Sequence, residues 1–499
     1  MDYTFRVLDF NVYETAPDEE SGDPATFAIQ IFGLNEQGKT CSIVAEDYKP
    51  FFYVMVDDTW SLTTKTNFLD HIKTKIKMEN AITDCIIVKR KKLYGFDAGR
   101  LYKFVKFEFA NMAAFNKAKN LWYTDYKAGH VLLRDGYKFN NTNTKLYEAN
   151  IPPLLRFLHI RDVSPSGWIA LPKKHLIEVT SDSKKTTCDL EFIINYKNIV
   201  PLNDKETRVR YKICSFDIEA SSSHGDFPVP KKTYKKLATN IVEYFENDDA
   251  EKTKDSCKTL LTEIVRTAFG YGSVPNIDVV YSKRPPKSLG EVDAMIAKWL
   301  EVRGIVKTEE YKETQTLEAM FERMAQGEDE EEYPNGYVKK EPVDKMATIV
   351  DIMCDKKYER DSKLEELNKS LISIFPSLKG DEVTFIGSTF MYYGDENPYK
   401  NNCMVVNTCS DVENSELEVY KTEREMLLGW QKMIQRENPD IIIGYNIFGF
   451  DYEFMFRRAE ENGCIEEFLK LSRNKDEICA TKDWETGRYK MEESTLQIA

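Results

Sequence analysis

Between Asp440 and Asp451 the chain reads DIIIGYNIFGFD. Three consecutive isoleucines between an aspartate and a glycine read as a short buried strand. Gly444-Tyr445-Asn446 then leads away from that strand, with Tyr445 expected to support the loop. A helix is predicted to start near Asp451 and to stop near Gly463. Upstream, Thr422 and Glu425 have capping-box spacing, and Met426, Leu427, Trp430, Met433 and Ile434 fall on one helical face that Pro439 ends. Val383–Phe390 and Met404–Val406 read as strands. The region from 381 onward is therefore an α/β unit.

The rest of the chain has a different texture. Residues 1–205 are strand-rich: Phe51–Val56 and Leu101–Phe109 carry aromatic and β-branched residues, and the second alternates as a half-buried strand does. A helix is expected around Phe115–Leu121. Tyr211–Glu219 is a further strand with charges at its far end. From 231 to 380 the apolar residues fall at helical spacing: Leu237, Ile241, Val242 and Phe245; then Leu260, Leu261, Ile264 and Val265; then Val292, Met295, Ile296 and Trp299; then Leu317, Met320, Phe321 and Met324. An acidic run at Glu328–Glu332 reads as an exposed loop.

At 499 residues with 42% hydrophobic content, there is apolar material for more than one core. No apolar run has the roughly 18 residues of a membrane helix, and the first residues lack the basic and apolar regions of a signal peptide. Ten scattered cysteines without a CxxC pair, beside five histidines, speak for a reduced intracellular setting and against structural zinc. The net charge of −14 is wrong for a protein that coats DNA by electrostatics alone. Two local basic strips, Lys89–Lys92 and Lys231–Lys236, read either as solvated surface or as nucleic-acid contacts.

The chemistry concentrates in three carboxylates. Asp217 and Glu219, two apart on a strand, point to the same face. Such a pair needs a cation or a proton if it is not solvated, and two Mg²⁺ ions would satisfy it while serving phosphodiester chemistry. By itself Asp-x-Glu reads as a solvated strand end. Asp451 by itself reads as a cap or a dipole partner of its helix, and a carboxylate there is also well held for a metal.

Taken together, these segments resemble family B DNA polymerases. Phe216-Asp217-Ile218-Glu219 is similar to the first exonuclease motif of that family, and Gly444-Tyr445-Asn446-Ile447-Phe448-Gly449-Phe450-Asp451 to the second. Gly225–Pro230 resembles the Phe-Pro loop after the first motif, and Asp381–Gly387 the strand that follows it. Tyr147–Ile151, Arg156–Leu158 and Trp168 resemble the end of the family's N-terminal domain. The wording around Asp217 looks closest to polymerases of large double-stranded DNA viruses of algae and protists. The resemblance implies an N-terminal domain over 1–205, a ribonuclease-H-like 3′→5′ exonuclease over 206–230 and 381–499, and a helical insertion over 231–380.

It implies site roles as well. Asp217 would bridge two Mg²⁺ ions, with Mn²⁺ as a substitute. Glu219 would bind one and orient water, and Asp451 would complete the set. Asn446 and Phe450 would contact the frayed primer end; independently of the resemblance, the basic strip offers Lys231 and Lys232 as DNA contacts. The partners implied are a primer 3′ end, a single-stranded template and the polymerase's C-terminal region, with a sliding clamp left open and no membrane. The setting implied is intracellular, either the host nucleus or a cytoplasmic viral replication site.

Two departures qualify the match. No Tyr-x-x-x-Asp follows the second motif, where the family's third exonuclease motif belongs, and the polymerase palm motifs are absent. The chain is therefore expected to be an N-terminal portion that cannot polymerise alone and is a weak or inactive nuclease. The other departure is the domain-sized insertion itself. The rival readings are a free-standing ribonuclease-H-like nuclease and a non-catalytic nucleic-acid-binding module.

Overall fold

The computed structural model describes residues 2–17, 23–92, 97–125, 129–247, 253–314, 339–355, 358–479, 481–482 and 489–490. In the N-terminal part the strands are β1 (Tyr3–Glu14), β2 (Phe27–Leu34), β3 (Thr40–Glu46) and β4 (Phe51–Met55). Next come α1 (Leu62–Ile76), β5 (Ile82–Lys91), β6 (Leu101–Phe109), α2 (Met112–Lys119), β7 (Tyr137–Phe139) and β8 (Thr142–Tyr147). Then α3 (Pro153–Arg161) leads to β9 (Trp168–Leu171), β10 (Leu176–Glu178), β11 (Leu190–Asn195) and β12 (Val200–Leu202). They form a seven-stranded sheet, β10-β11-β3-β2-β1-β9-β12, and a five-stranded sheet, β5-β6-β4-β8-β7. The alternation in Leu101–Phe109 is real: Val105, Phe107 and Phe109 lie in a core with Phe68 and Ile72 of α1.

The block after residue 231 has its own apolar core. It is built by α4 (Lys235–Glu246), α5 (Lys254–Ala268), α6 (Leu289–Leu300), α7 (Ile349–Cys354) and α8 (Arg360–Ile374). Leu237, Ile241, Val242, Leu261, Ile264, Val292, Ile296 and Trp299 are all buried there, on the faces that the helical spacing marked. The Trp299 indole donates to Ser370 Oγ (2.9 Å). Two features depart from expectation. The block is not helical throughout, because β14 (Arg303–Thr314) pairs antiparallel with β15 (Lys339–Thr348). The cysteines are not all unpaired: Cys257 of α5 and Cys354 of α7, 97 residues apart, form a disulfide. The helical stripe at Leu317–Met324 and the acidic run at Glu328–Glu332 lie outside the described residues.

The α/β unit has the sheet order β18-β17-β16-β13-β19, with β13 (Lys212–Ser221), β16 (Glu382–Tyr392), β17 (Lys400–Val406), β18 (Glu416–Tyr420) and β19 (Ile441–Ile443). β13 is antiparallel to β16 and parallel to β19. The crossover to β19 is α9 (Glu423–Glu437), which opens with the reciprocal Thr422–Glu425 capping box and closes on Asn438 in the left-handed region. α10 (Asp451–Glu461) and α11 (Ile465–Phe468) follow. Among the described residues no helix is long and apolar enough to cross a membrane.

Candidate active site

β13 separates its side chains as a strand should. Cys214, Phe216 and Ile218 enter the core, where Phe216 packs on Trp430 (5.0 Å) and Tyr452 (5.2 Å). Asp217 and Glu219 share the opposite, exposed face. A register irregularity follows Glu219, where Thr384 of β16 is the extra, unmatched residue.

β19 lies along β13 with Ile441 opposite Ile213 and Ile443 opposite Ser215, so both strands end on the same side of the sheet. Asp440 pins their start: its carboxylate accepts from the Lys212 N–H (2.7 Å) and from the Arg473 guanidinium (2.7 Å). The loop beyond β19 then crosses closely over β13. A Cβ at Gly444 would collide with the Ile447 side chain and lie 2.9 Å from the Phe216 carbonyl oxygen, so only glycine fits there. Asn446 adopts φ +52°, and its carbonyl accepts from the N–H groups of Gly449 (3.1 Å) and Phe450 (3.0 Å). That turn delivers Asp451 as the first residue of α10.

Asp451 is 1% exposed, and its Oδ1 accepts from the Ile218 N–H at 3.3 Å. Asp217 Oδ1 accepts from the same N–H at 3.1 Å. Two carboxylates from remote stretches of sequence thus converge on one amide. Burial pushes the Asp451 carboxyl up to about 6, and the negative charge and hydrogen bonding of Asp217 add to the shift. Phe450, which offers no side-chain cap, occupies the N-cap position, so Asp451 is not the capping residue.

Of the three acids, the structure joins Asp217 and Asp451. Glu219 stays on the exposed face, and among the described residues no three His, Cys, Asp or Glu side chains cluster closely enough to hold a metal ion. The donor set nevertheless suits a hard cation. Two carboxylates, one buried and destabilised as an anion, are what Mg²⁺ or Mn²⁺ uses when substrate phosphate oxygens and water complete its shell.

Asn446 is exposed, with its amide over Gly449. Phe450 is half-buried between Phe227 (5.6 Å) and Phe454 (5.5 Å). Tyr445 is 95% exposed and does not support the loop as expected; the buried Ile447 side chain anchors it instead. Phe448 and Phe227 are also exposed, in the loops that lead into Asp451 and away from Glu219. Sequence reasoning missed them because apolar patterning assigns aromatics to cores; their position in a glycine-flanked loop was the usable signal. Lys231 is exposed and 3.6 Å from Glu460. Lys232 is mostly buried, with its ammonium held by Asp381 (2.6 Å) and Ser223 (3.2 Å), so its charge is taken up within the fold.

A buried ion cluster supports α10 from behind. Arg458 donates to both Glu423 oxygens (2.8 and 2.6 Å) and to the Pro230 carbonyl (3.0 Å). Sequence reasoning passed over it, although an arginine seven residues after Asp451, on the helix's inner stripe, was a signal.

The model of the DNA polymerase family B exonuclease domain matches residues 144–266 and 292–497, spans that include Asp217, Glu219 and Asp451. This chain belongs to DNA polymerase family B. Its α/β unit is the ribonuclease-H-like exonuclease fold of that family. The DNA polymerase of Phaeocystis pouchetii virus is 39% identical to it, across 99% of this chain and 50% of the viral protein. That of Pyramimonas orientalis virus is 28% identical, across 94% of this chain and 37% of its own length. The family B chain thus spans half or less of the length of these curated relatives. A solved family B DNA polymerase from the archaeon Pyrobaculum calidifontis aligns over 98% of this chain and 35% of its own, with TM-score 0.44 and 11% identity.

Proposed function

We propose that this chain supplies the 3′→5′ exonuclease of a DNA polymerase, removing nucleotides one at a time from the 3′ end of a DNA strand. The observation that carries the reading is the meeting of Asp217 and Asp451 on the Ile218 amide. Nothing in folding favours a buried aspartate beside a second one; a ligand that neutralises them does.

Asp217 and Asp451 would hold divalent cations, with Glu219 joining from the same face as Asp217. When bound, Mg²⁺ or Mn²⁺ supplies an activated water and charge stabilisation for the leaving 3′-oxygen. The chain's own residues do the rest. Asp451 is fixed by the helix start and the Ile218 amide, so the pair is preorganised before substrate arrives. Phe450 and the exposed rings of Tyr445 and Phe448 offer faces on which the terminal bases can stack, which selects a frayed single strand over a stacked duplex. Lys231 stands where it can meet the backbone, whereas Lys232 serves the fold. The partners are then a DNA 3′ end and a polymerase active site, and the setting is the place where a viral genome is copied inside its host.

The test is degradation of 5′-labelled single-stranded DNA in Mg²⁺. Stepwise shortening from the 3′ end, lost in both Asp217→Ala and Asp451→Ala, supports the assignment. Undiminished shortening in those variants refutes it.

A further inference from the structure

A cavity of about 490 Å³ lies between the loop that follows β13 and the segment Asp278–Tyr281 of the insertion. That size is ordinary for a small-molecule site. Its wall is largely apolar, with Val229, Val279 and Tyr281 exposed to it. The Tyr281 ring, 47% exposed, is braced edge-on by His224 (5.2 Å), whose Nε2 donates to the Val279 carbonyl (2.7 Å).

The rim is cationic although the chain is acidic overall. Lys236 is engaged by Asp226 (2.8 Å) and Asp278 (3.7 Å). Lys235 is exposed and makes no ion pair among the described residues, and Lys231 is held only loosely at 3.6 Å. Lys235 also opens α4; its own N–H donates to Thr233 Oγ1 (3.4 Å), and the next N–H groups of the first turn add to the positive end. Aromatic surface beside cationic side chains is the arrangement that binds single-stranded nucleic acid without reading its sequence.

The loop that lines the cavity also contacts the residue before Asp451. Phe450 precedes Asp451 and contacts Phe227, which is 73% exposed in the same loop as Val229 and Lys231. A strand leaving the acids across Phe450 and Phe227 would arrive at the cavity mouth.

We propose that this cavity receives a nucleotide of the single-stranded DNA whose 3′ end lies at Asp217 and Asp451, with its base on Tyr281 and its phosphate at Lys235 and Lys231. The insertion then extends the strand-binding track of the exonuclease. The proposal rests on the nuclease reading for the placement of the 3′ end.

The test is fluorescence anisotropy of fluorescein-labelled dT12 with the full chain in EDTA, where no hydrolysis occurs. Tyr281→Ala and Lys235→Glu are each expected to weaken binding about tenfold, the size of one lost stacking or phosphate contact. Tyr281→Phe is expected to bind as wild type, and Lys235→Glu to flatten the salt dependence. Both positions are exposed, and matching thermal transitions confirm folding. Affinity within twofold of wild type in both variants overturns the proposal. So does dTMP displacing the probe as well as unlabelled dT12, which would mark a free-nucleotide site. Release of dTMP by the wild type in Mg²⁺ that persists undiminished in Asp217→Ala would remove the nuclease reading and leave this binding measurement interpretable.

Discussion

Asp451 is held at 1% exposure beside Asp217, an arrangement that is costly unless a proton or a cation intervenes. Burial, with the charge of Asp217 beside it, pushes the Asp451 carboxyl up to about 6 from the ordinary value of 3.8. The folded state therefore binds the proton more tightly than the unfolded chain does. Stability from this group is full below about pH 4 and is lost as pH rises through about 6. Asp451→Asn should accordingly raise the metal-free melting temperature by a few degrees at pH 8 and by almost nothing at pH 4, while hydrolysis is abolished. Calorimetry of both proteins at the two pH values checks this. Phe450→Ala should weaken binding of single-stranded 3′ ends by about 1–3 kcal/mol, with little change on duplex ends, as read by anisotropy in EDTA.

At the scale of elements, the site depends on how β19, its loop and α10 are clamped. Arg458 is buried with Glu423, and both belong to helices that flank the loop. Arg458→Met should cost about 3–5 kcal/mol in denaturant unfolding, because Glu423 is left buried and charged without its cation, with only the Val383 N–H and the Asn462 amide as donors. Adding Glu423→Gln, which keeps an acceptor for the Val383 N–H and the Asn462 amide, should recover part of that loss; a double variant as unstable as the single one would contradict the charge account. Much of this clamp was legible locally. The Thr422–Glu425 box, the isoleucine strand and the start of α10 at Asp451 are short-range patterns, and the structure carries all three. The Arg458–Glu423 pair was not legible, because it joins residues 35 apart whose meeting depends on how two helices pack. The β14–β15 hairpin was hidden for a different reason: RGIVKTEEYKET is too polar for strand patterning, and its partner strand begins beyond a long intervening segment. In the site itself, the common face of Asp217 and Glu219 followed from the two-residue period. The placement of Asp451 against the Ile218 amide needed the β13–β19 register.

Among the described residues the larger apolar cores are four: two in the N-terminal part, one in the helical block and one in the α/β unit. The N-terminal sheets hold the exonuclease unit through Gln30, whose amide exchanges hydrogen bonds with Asn474 (2.9 and 3.1 Å), and through Thr187 N–H to the Arg473 carbonyl (2.8 Å). Arg473 also holds Asp440 at the base of β19, so this contact reaches the strand that positions the site. The helical block after residue 231 keeps its own core, which includes Trp299. Trp299→Ala should cost that core about 3–5 kcal/mol. Hydrogen exchange should then quicken across α4–α8 while β13 and β16 keep their protection. The strongest test of the account is the electron paramagnetic resonance titration of Mn²⁺ into the full chain. Wild type is predicted to bind the ion with an affinity that falls at least tenfold in both Asp217→Ala and Asp451→Ala. Equal binding by all three proteins would contradict the claim that these two carboxylates share a cation.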